Sequence, residues 1–285
     1  MQSPKILYHY CATEAFHSIV ANRTIRLSCL SLSNDSMEGR LVRIEMRKMA
    51  EHDGLDAECI QRLDDHLRFT EEQFWSLGFC LSETGDLLSQ WRGYADNASG
   101  VSIGFRTEFL SNLKTRIASP TELGLSAVNY DPEAVRALIA PTYEVIREAL
   151  KQGALKPDRS RLLIQALGGQ PAPASNGRQN KVVVFATITL LNKLFIFKSG
   201  AFSEEREWRL HLCPMGNKEV RLSYRSSGAL VVPYVDLPYL DPKDDPVCEV
   251  ILDPRHRTPE SIIQGFLAEN GFGTAIVRRS VATYR

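Results

Sequence analysis

Three short stretches of this chain carry side chains of a kind and spacing that do chemistry: Tyr8-His9-Tyr10, Ser89-x-Trp91-x-x-Tyr94, and Glu205-Arg206-Glu207-Trp208-Arg209. Successive side chains of a β-strand point to opposite faces, so a strand puts Tyr8 and Tyr10 on one side and His9 on the other. The same alternation sends Glu205 and Glu207 one way, with Arg206 and Trp208 opposite. Two carboxylates side by side repel, which costs stability unless water, a cation or function compensates. A functional pair would orient a sugar hydroxyl and stabilise a developing positive charge. On a helix, Trp91 and Tyr94 share a face. Gly100 and Gly104 then flank a strand where backbone can approach a ligand closely, and aromatic faces beside small residues suit a flat ring such as nicotinamide or a base. Each stretch also has a bland reading: a hydrogen-bonded His on an edge strand, a core aromatic pair, and a solvated strand edge.

Two further groups read more plainly as structure. Asn34-Asp35-x-x-Glu38 is an Asx turn with a helix cap and a first-turn carboxylate. The tail Arg278-Arg279-Ser280 with Tyr284-Arg285 is a solvated terminus, or else a phosphate contact. No GxGxxG, GxxxxGK[ST] or HExxH occurs, so the common nucleotide and zinc-protease signatures are missing.

The bulk numbers limit the classes. Lys+Arg and Asp+Glu stand at 34 each among 285 residues, and this balance gives nonspecific nucleic-acid binding no global support. The six cysteines are scattered singly without a CxxC pair, which argues against a structural metal and a disulfide scaffold and for thiols buried in a reducing compartment. Neither a signal pattern nor an apolar run of about 18–20 residues is present. A cytoplasmic protein without a membrane span is the expectation.

The elements that must position these residues follow from periodicity and punctuation. Strands are expected over Lys5–Tyr10, Thr24–Ser28, Phe74–Ser82 and Gly100–Phe105, then in the last third over Glu207–Cys213, Glu219–Tyr224, Ala229–Val235, Val247–Leu252 and Thr274–Arg278. Helices are expected over Glu14–Asn22, Met37–His52, Asp56–Glu72, Leu87–Tyr94, from Asp131-Pro132-Glu133 to Leu150, over the apolar Lys181–Phe197 as a buried helix, and from Thr258-Pro259-Glu260. Gly168–Gly177 reads as a flexible loop. Strands at both ends with helices between predict a single α+β domain: a mixed, mostly antiparallel β core carrying a helical insertion.

The order LYHYC, NDSME, CLSE, SQWRGYADNASGVSIGF, EREWRL and RRSVATYR resembles a bacterial family of unknown function across nearly the whole chain. That family carries a YHYT-like first strand, a WxxYA…GVxIGF block and an ExEWR strand; here Cys11 stands where Thr is usual. A looser likeness is to ADP-ribosyltransferases, which place a His on a first strand, an aromatic or Ser on a middle strand and a catalytic Glu on a late strand of a split sheet. That likeness implies that His9 holds the nicotinamide-side ribose and that Tyr94 (or Tyr10) stacks on nicotinamide. It further implies that Glu207 binds the ribose 2′-hydroxyl and that Glu205 faces the acceptor. Tyr8 and Trp91 would complete the pocket, while Arg209, Arg23, Arg26 or Arg92 would hold the pyrophosphate. No Ser-Thr-Ser triplet appears. NAD is then the expected substrate of an ADP-ribosyltransferase or NAD glycohydrolase, in a toxin or phage-defence setting, with the acceptor open. The alternatives are a noncatalytic nucleotide- or partner-binding sensor, and a metal-dependent nuclease using Asp35, Glu38 and Glu207.

Overall fold

A computed structural model describes residues 5–32, 39–73, 76–96, 99–113, 123–156, 177–214, 220–238 and 241–283. The Asn34–Glu38 turn, most of the Gly168–Gly177 loop and Tyr284-Arg285 lie outside the described residues. The strands are β1 (Ile6–Cys11), β2 (Ile25–Cys29), β3 (Leu77–Ser82), β4 (Val101–Arg106), β5 (Gly124–Ala127), β6 (Glu207–Leu212), β7 (Ser223–Ser227), β8 (Leu230–Leu237), β9 (Val247–Leu252) and β10 (Ile276–Arg279). The α-helices are α1 (Thr13–Asn22), α2 (Leu41–His52), α3 (Ala57–Gln73), α4 (Leu88–Tyr94), α5 (Thr107–Asn112), α6 (Pro132–Lys151), α7 (Gly177–Leu194) and α8 (Glu260–Glu269).

Contacts within the chain group into two compact units. One unit takes Met1–Ser33, Ser76–Val128 and Ser199–Arg285 and contains all ten strands of the described residues; the other takes Asn34–Trp75 and Asn129–Lys198, and its described elements are helices. The expected helical insertion thus leaves the sheet twice, between β2 and β3 and again between β5 and β6. The fold is α+β, and every strand pair is antiparallel except β9 with β10.

The strand order is β10-β9-β4-β1-β3-β2-β8-β7, with β6 added to β3 and β5 to β6. β3 is the branch point. One edge pairs with β6 along its whole length, from Leu77 opposite Leu212 to Ser82 opposite Glu207. The other edge is divided: β2 takes Leu77 and Gly78, and β1 takes Ser82 through Tyr8.

Because directly paired residues share a face, the registers sort the central strands into two surfaces. Leu7, His9 and Cys11, Phe79 and Leu81, Val101, Ile103 and Phe105, and Trp208, Leu210 and Leu212 lie on one face, which is apolar apart from His9. Tyr8 and Tyr10, Gly78, Cys80 and Ser82, Ser102 and Gly104, Glu207, Arg209 and His211, and Gly124 and Ser126 lie on the other, which is polar, small or aromatic.

In the helical unit, Asp131 caps α6 by accepting from the Glu133 amide at 3.0 Å, with Pro132 in the first turn, as its sequence predicts. Arg136 binds Glu45 of α2 at 2.8 Å, and Tyr143 Oη donates to Asp53 at 3.1 Å. α7 departs from expectation. It is not a buried helix, because Val182, Val184 and Phe185 are exposed; its apolar run is split between a packed stripe through Val183 and Leu190 and an open one. The sequence reading also passed over α5 and β5, both too short to carry a periodic signal.

Gly100 is where the fold is least tolerant: a Cβ there would sit 2.2 Å from the Cys11 carbonyl oxygen, which is fixed backbone. Gly100→Ala is expected to cost about 1–3 kcal/mol by overpacking, measured by urea denaturation; an unchanged midpoint would contradict the β1–β4 geometry.

Candidate functional site

All eight residues singled out from the sequence lie in the sheet unit, but they do not form one cluster. His9 is the clearest correction. Alternation along β1 turns it to the apolar face, where its ring stacks on Phe79 at 3.9 Å between centroids and its Nδ1–H donates to the Cys80 carbonyl at 2.8 Å. Glu207 points from the opposite face. Burial lowers the His9 pKa to about 4, against a weaker opposing effect of the Cys80 bond, so the ring is neutral near pH 7. His9 plugs the fork where β1 leaves β3 rather than joining Glu207.

The aromatic pocket is corrected in part. Trp91 is 0 % exposed, packs edge-on against Tyr10 and donates its Nε1–H to Asp86 at 2.7 Å. Tyr10 Oη donates to the Thr84 carbonyl and accepts from the Leu87 amide, at 2.7 and 2.9 Å. With Ala95 and Ile251 these two rings make a core cluster, so they line no open wall. Tyr8 packs beside them, and its hydroxyl donates to Glu249 at 2.8 Å. Gly85 crosses so close that a Cβ would stand 2.4 Å from the Tyr8 ring. Glycine is needed there to let the Glu83–Leu87 loop lie flat on the sheet.

Tyr94 behaves differently. It is 37 % exposed, and its hydroxyl donates to Glu205 Oε1 at 3.3 Å. Glu205 is not a strand residue. It ends a 3-10 turn over Gly200–Glu205, Arg206 takes a left-handed φ of 43°, and β6 begins only at Glu207. Strand alternation therefore does not relate Glu205 to Glu207. The turn lets Glu205 lean to Tyr94 while its carbonyl accepts from Ser82 Oγ at 2.7 Å.

Glu207 and Arg209 follow each other on the polar face of β6. Both Glu207 oxygens accept from the guanidinium, from Nε at 2.7 Å and Nη2 at 2.9 Å, in a forked pair that is 6 % and 0 % exposed. Burying either charge alone is costly, so the two stabilise each other's presence. Arg209 is thus committed within the sheet and is not an open pyrophosphate contact. Of the other arginines named for that role, Arg26 pairs with Asp236 at 2.7 Å and Arg23 donates to the Asn270 carbonyl, while Arg92 is exposed on α4, two residues before Tyr94.

Sequence reasoning missed three residues of this face, Ser82, Ser126 and His211, and a buried carboxylate that follows β9, Asp253. Ser82 stands in register between Tyr8 and Glu207, completing a row across β1, β3 and β6; its signal was the alternation of Gly78, Cys80 and Ser82 against Phe79 and Leu81. Ser126 Oγ meets His211 Nε2 at 3.1 Å, and burial, then the Arg209 charge, lowers the His211 pKa. Asp253 is buried, and burial raises its carboxyl to about 6. The contact of Ser126 with His211 depends on pairing between β5 and β6 and left no local pattern.

Asp35 and Glu38, two of the three carboxylates of the nuclease alternative, lie outside the described residues. No helix of the described residues is long and apolar enough to cross a membrane.

Residues 90–210 match the model of a family described as a protein of unknown function, DUF2971. The match supports a likeness to a family of unknown function over that span. It runs from the residue before Trp91 to the residue after Arg209 and so takes in Tyr94, Glu205 and Glu207, but not Tyr8, His9 or Tyr10. No curated protein and no solved structure matches the chain.

The buried neutral state of His9 has a pH consequence. Its folded pKa lies below the ordinary 6.5, so the unfolded chain takes up a proton that the folded chain refuses as pH falls from 6.5 toward 4, and stability falls with it. His9→Asn, which keeps a donor for Cys80, is expected to lower the melting temperature at pH 7 and to lose less between pH 7 and 4.5 than wild type. Equal losses in both proteins would contradict the buried neutral imidazole.

Proposed function

We propose that the sheet unit is an NAD-consuming enzyme, an ADP-ribosyltransferase or NAD glycohydrolase, with its reacting centre where Tyr94 meets Glu205. The observation that carries this reading is that contact: an exposed phenol hydrogen-bonded at 3.3 Å to a carboxylate from the turn that opens β6. The row of Tyr8, Ser82 and Glu207 on first, middle and late strands adds support, since it matches the strand order the resemblance implies, with Tyr8 rather than His9 on the first strand.

In this reading the Tyr94 ring stacks on nicotinamide and excludes water from one side of the glycosidic bond. The bond from ribose C1′ to the ring nitrogen breaks with both electrons leaving on nicotinamide, which departs neutral. Glu205 stabilises the positive charge left on the ribose. Water or an acceptor hydroxyl then adds to C1′, and its proton passes to Glu205. Glu207, held as a carboxylate by Arg209, accepts from the ribose 2′-hydroxyl. NAD depletion by such a centre fits a toxin or phage-defence role.

Nicotinamide release from NAD tests the reading. Wild type is expected to release it. Glu205→Gln should lower kcat by about 100-fold or more with little change in NAD affinity, and Tyr94→Ala should raise KM about tenfold. Saturable NAD binding without release would replace the enzyme with a nucleotide sensor, and full activity in Glu205→Gln would remove Glu205 from the chemistry.

A further inference from the structure

The helical unit carries an open groove of about 550 Å³ between α6 and α7. Pro141 and Val145 of α6 and Val182 and Phe185 of α7 form its apolar floor and wall, and Arg178 and Lys181 stand on its lip. Phe185 is 67 % and Val145 48 % exposed, which is unusual for large apolar side chains so close together. Pro141 lies inside α6, where its missing N–H leaves the Ala137 carbonyl without the usual helical partner.

Charge narrows what this surface fits. Arg178 and Lys181 are three residues apart, about one turn of the helix, and among the described residues neither side chain has an ion-pair or hydrogen-bond partner. Among the described residues no acidic side chain lines the groove, and α7 contains none from Gly177 to Leu194. A second copy of the chain is a poor occupant, because a two-fold contact brings a patch against itself and would set these cations against each other. An occupant with carboxylates beside an apolar stripe neutralises the lip and covers the floor at once.

We propose that the groove between α6 and α7 receives an acidic amphipathic helix of a partner protein. Apolar side chains at i, i+3 or i+4, and i+7 of that helix fill the space over Val145, Val182 and Phe185, while flanking Glu or Asp residues meet Arg178 and Lys181. The proposal is independent of any reaction at the sheet.

The probe is a fluorescein-labelled synthetic helix of about 18 residues, with Leu on one stripe and Glu on its flanks. Its controls are a scrambled peptide of the same composition and a version with Lys for Glu. Fluorescence anisotropy should show saturable binding of the striped acidic peptide alone. Phe185→Asp should weaken it about tenfold or more, and the double substitution Arg178→Glu, Lys181→Glu should remove its salt dependence and admit the Lys peptide instead. Unchanged melting temperatures would certify that the exposed substitutions leave the fold intact. No binding by the striped acidic peptide, equal binding of the scrambled peptide, or binding indifferent to Phe185 overturns the proposal. So does a dimer in analytical ultracentrifugation that Phe185→Asp dissolves, since the groove would then belong to a second copy.

Discussion

The ion pair between Glu207 and Arg209 is the constraint on which the sheet unit turns. A guanidinium with no solvent exposure sits on β6, between β3 and β5, and a carboxylate held in a fork by the same strand offsets the cost of burying it. The pair fixes which face of β6 is polar. Through the register of β3 it then fixes the faces of Ser82 and Cys80, and through Tyr8 opposite Ser82 it fixes those of β1. A slip of one residue between β3 and β6 would set Glu207 and Arg209 against the apolar face formed by Phe79 and Leu81. The polar face is therefore a consequence of register as much as of composition.

Much of this was legible in the sequence because the strands alternate cleanly. VSIGF, GFCLS and EWRLHL each separate small or polar residues from apolar ones with period two, and the Tyr8-His9-Tyr10 alternation already placed His9 apart from its neighbours. What the residues alone did not reveal was partnership. The likeness to ADP-ribosyltransferases groups His9 with Glu207, yet facing the same side depends on the register between β1 and β3, which no local pattern encodes. Glu205 and Glu207 look like a strand pair because the residue between them, Arg206, takes its left-handed conformation without a glycine to announce it. Trp91 and Tyr94 sit three apart on a short helix, but its packing buries the first and leaves the second at the rim.

The helical unit shows the complementary lesson. Its caps and amphipathic stripes were readable: Asp131 and Pro132 start α6 as their types demand. The apolar run of α7 was longer than one packed face can use, and the excess is exposed at Val184 and Phe185. Composition gave the helix, while burial had to be learned from its packing against α6. Exposed apolar surface of this extent on one helix face is uncommon.

A double-mutant cycle on the central pair tests the account most directly. Unfolding free energies would be measured for Glu207→Leu, Arg209→Leu and both together. If the forked pair organises the polar face, each single change strands a buried charge and costs about 3–5 kcal/mol, or prevents folding, while the double change costs far less than the sum. Additive losses would contradict it, for they would mean that the two side chains stabilise the sheet separately and that its polar face has some other origin.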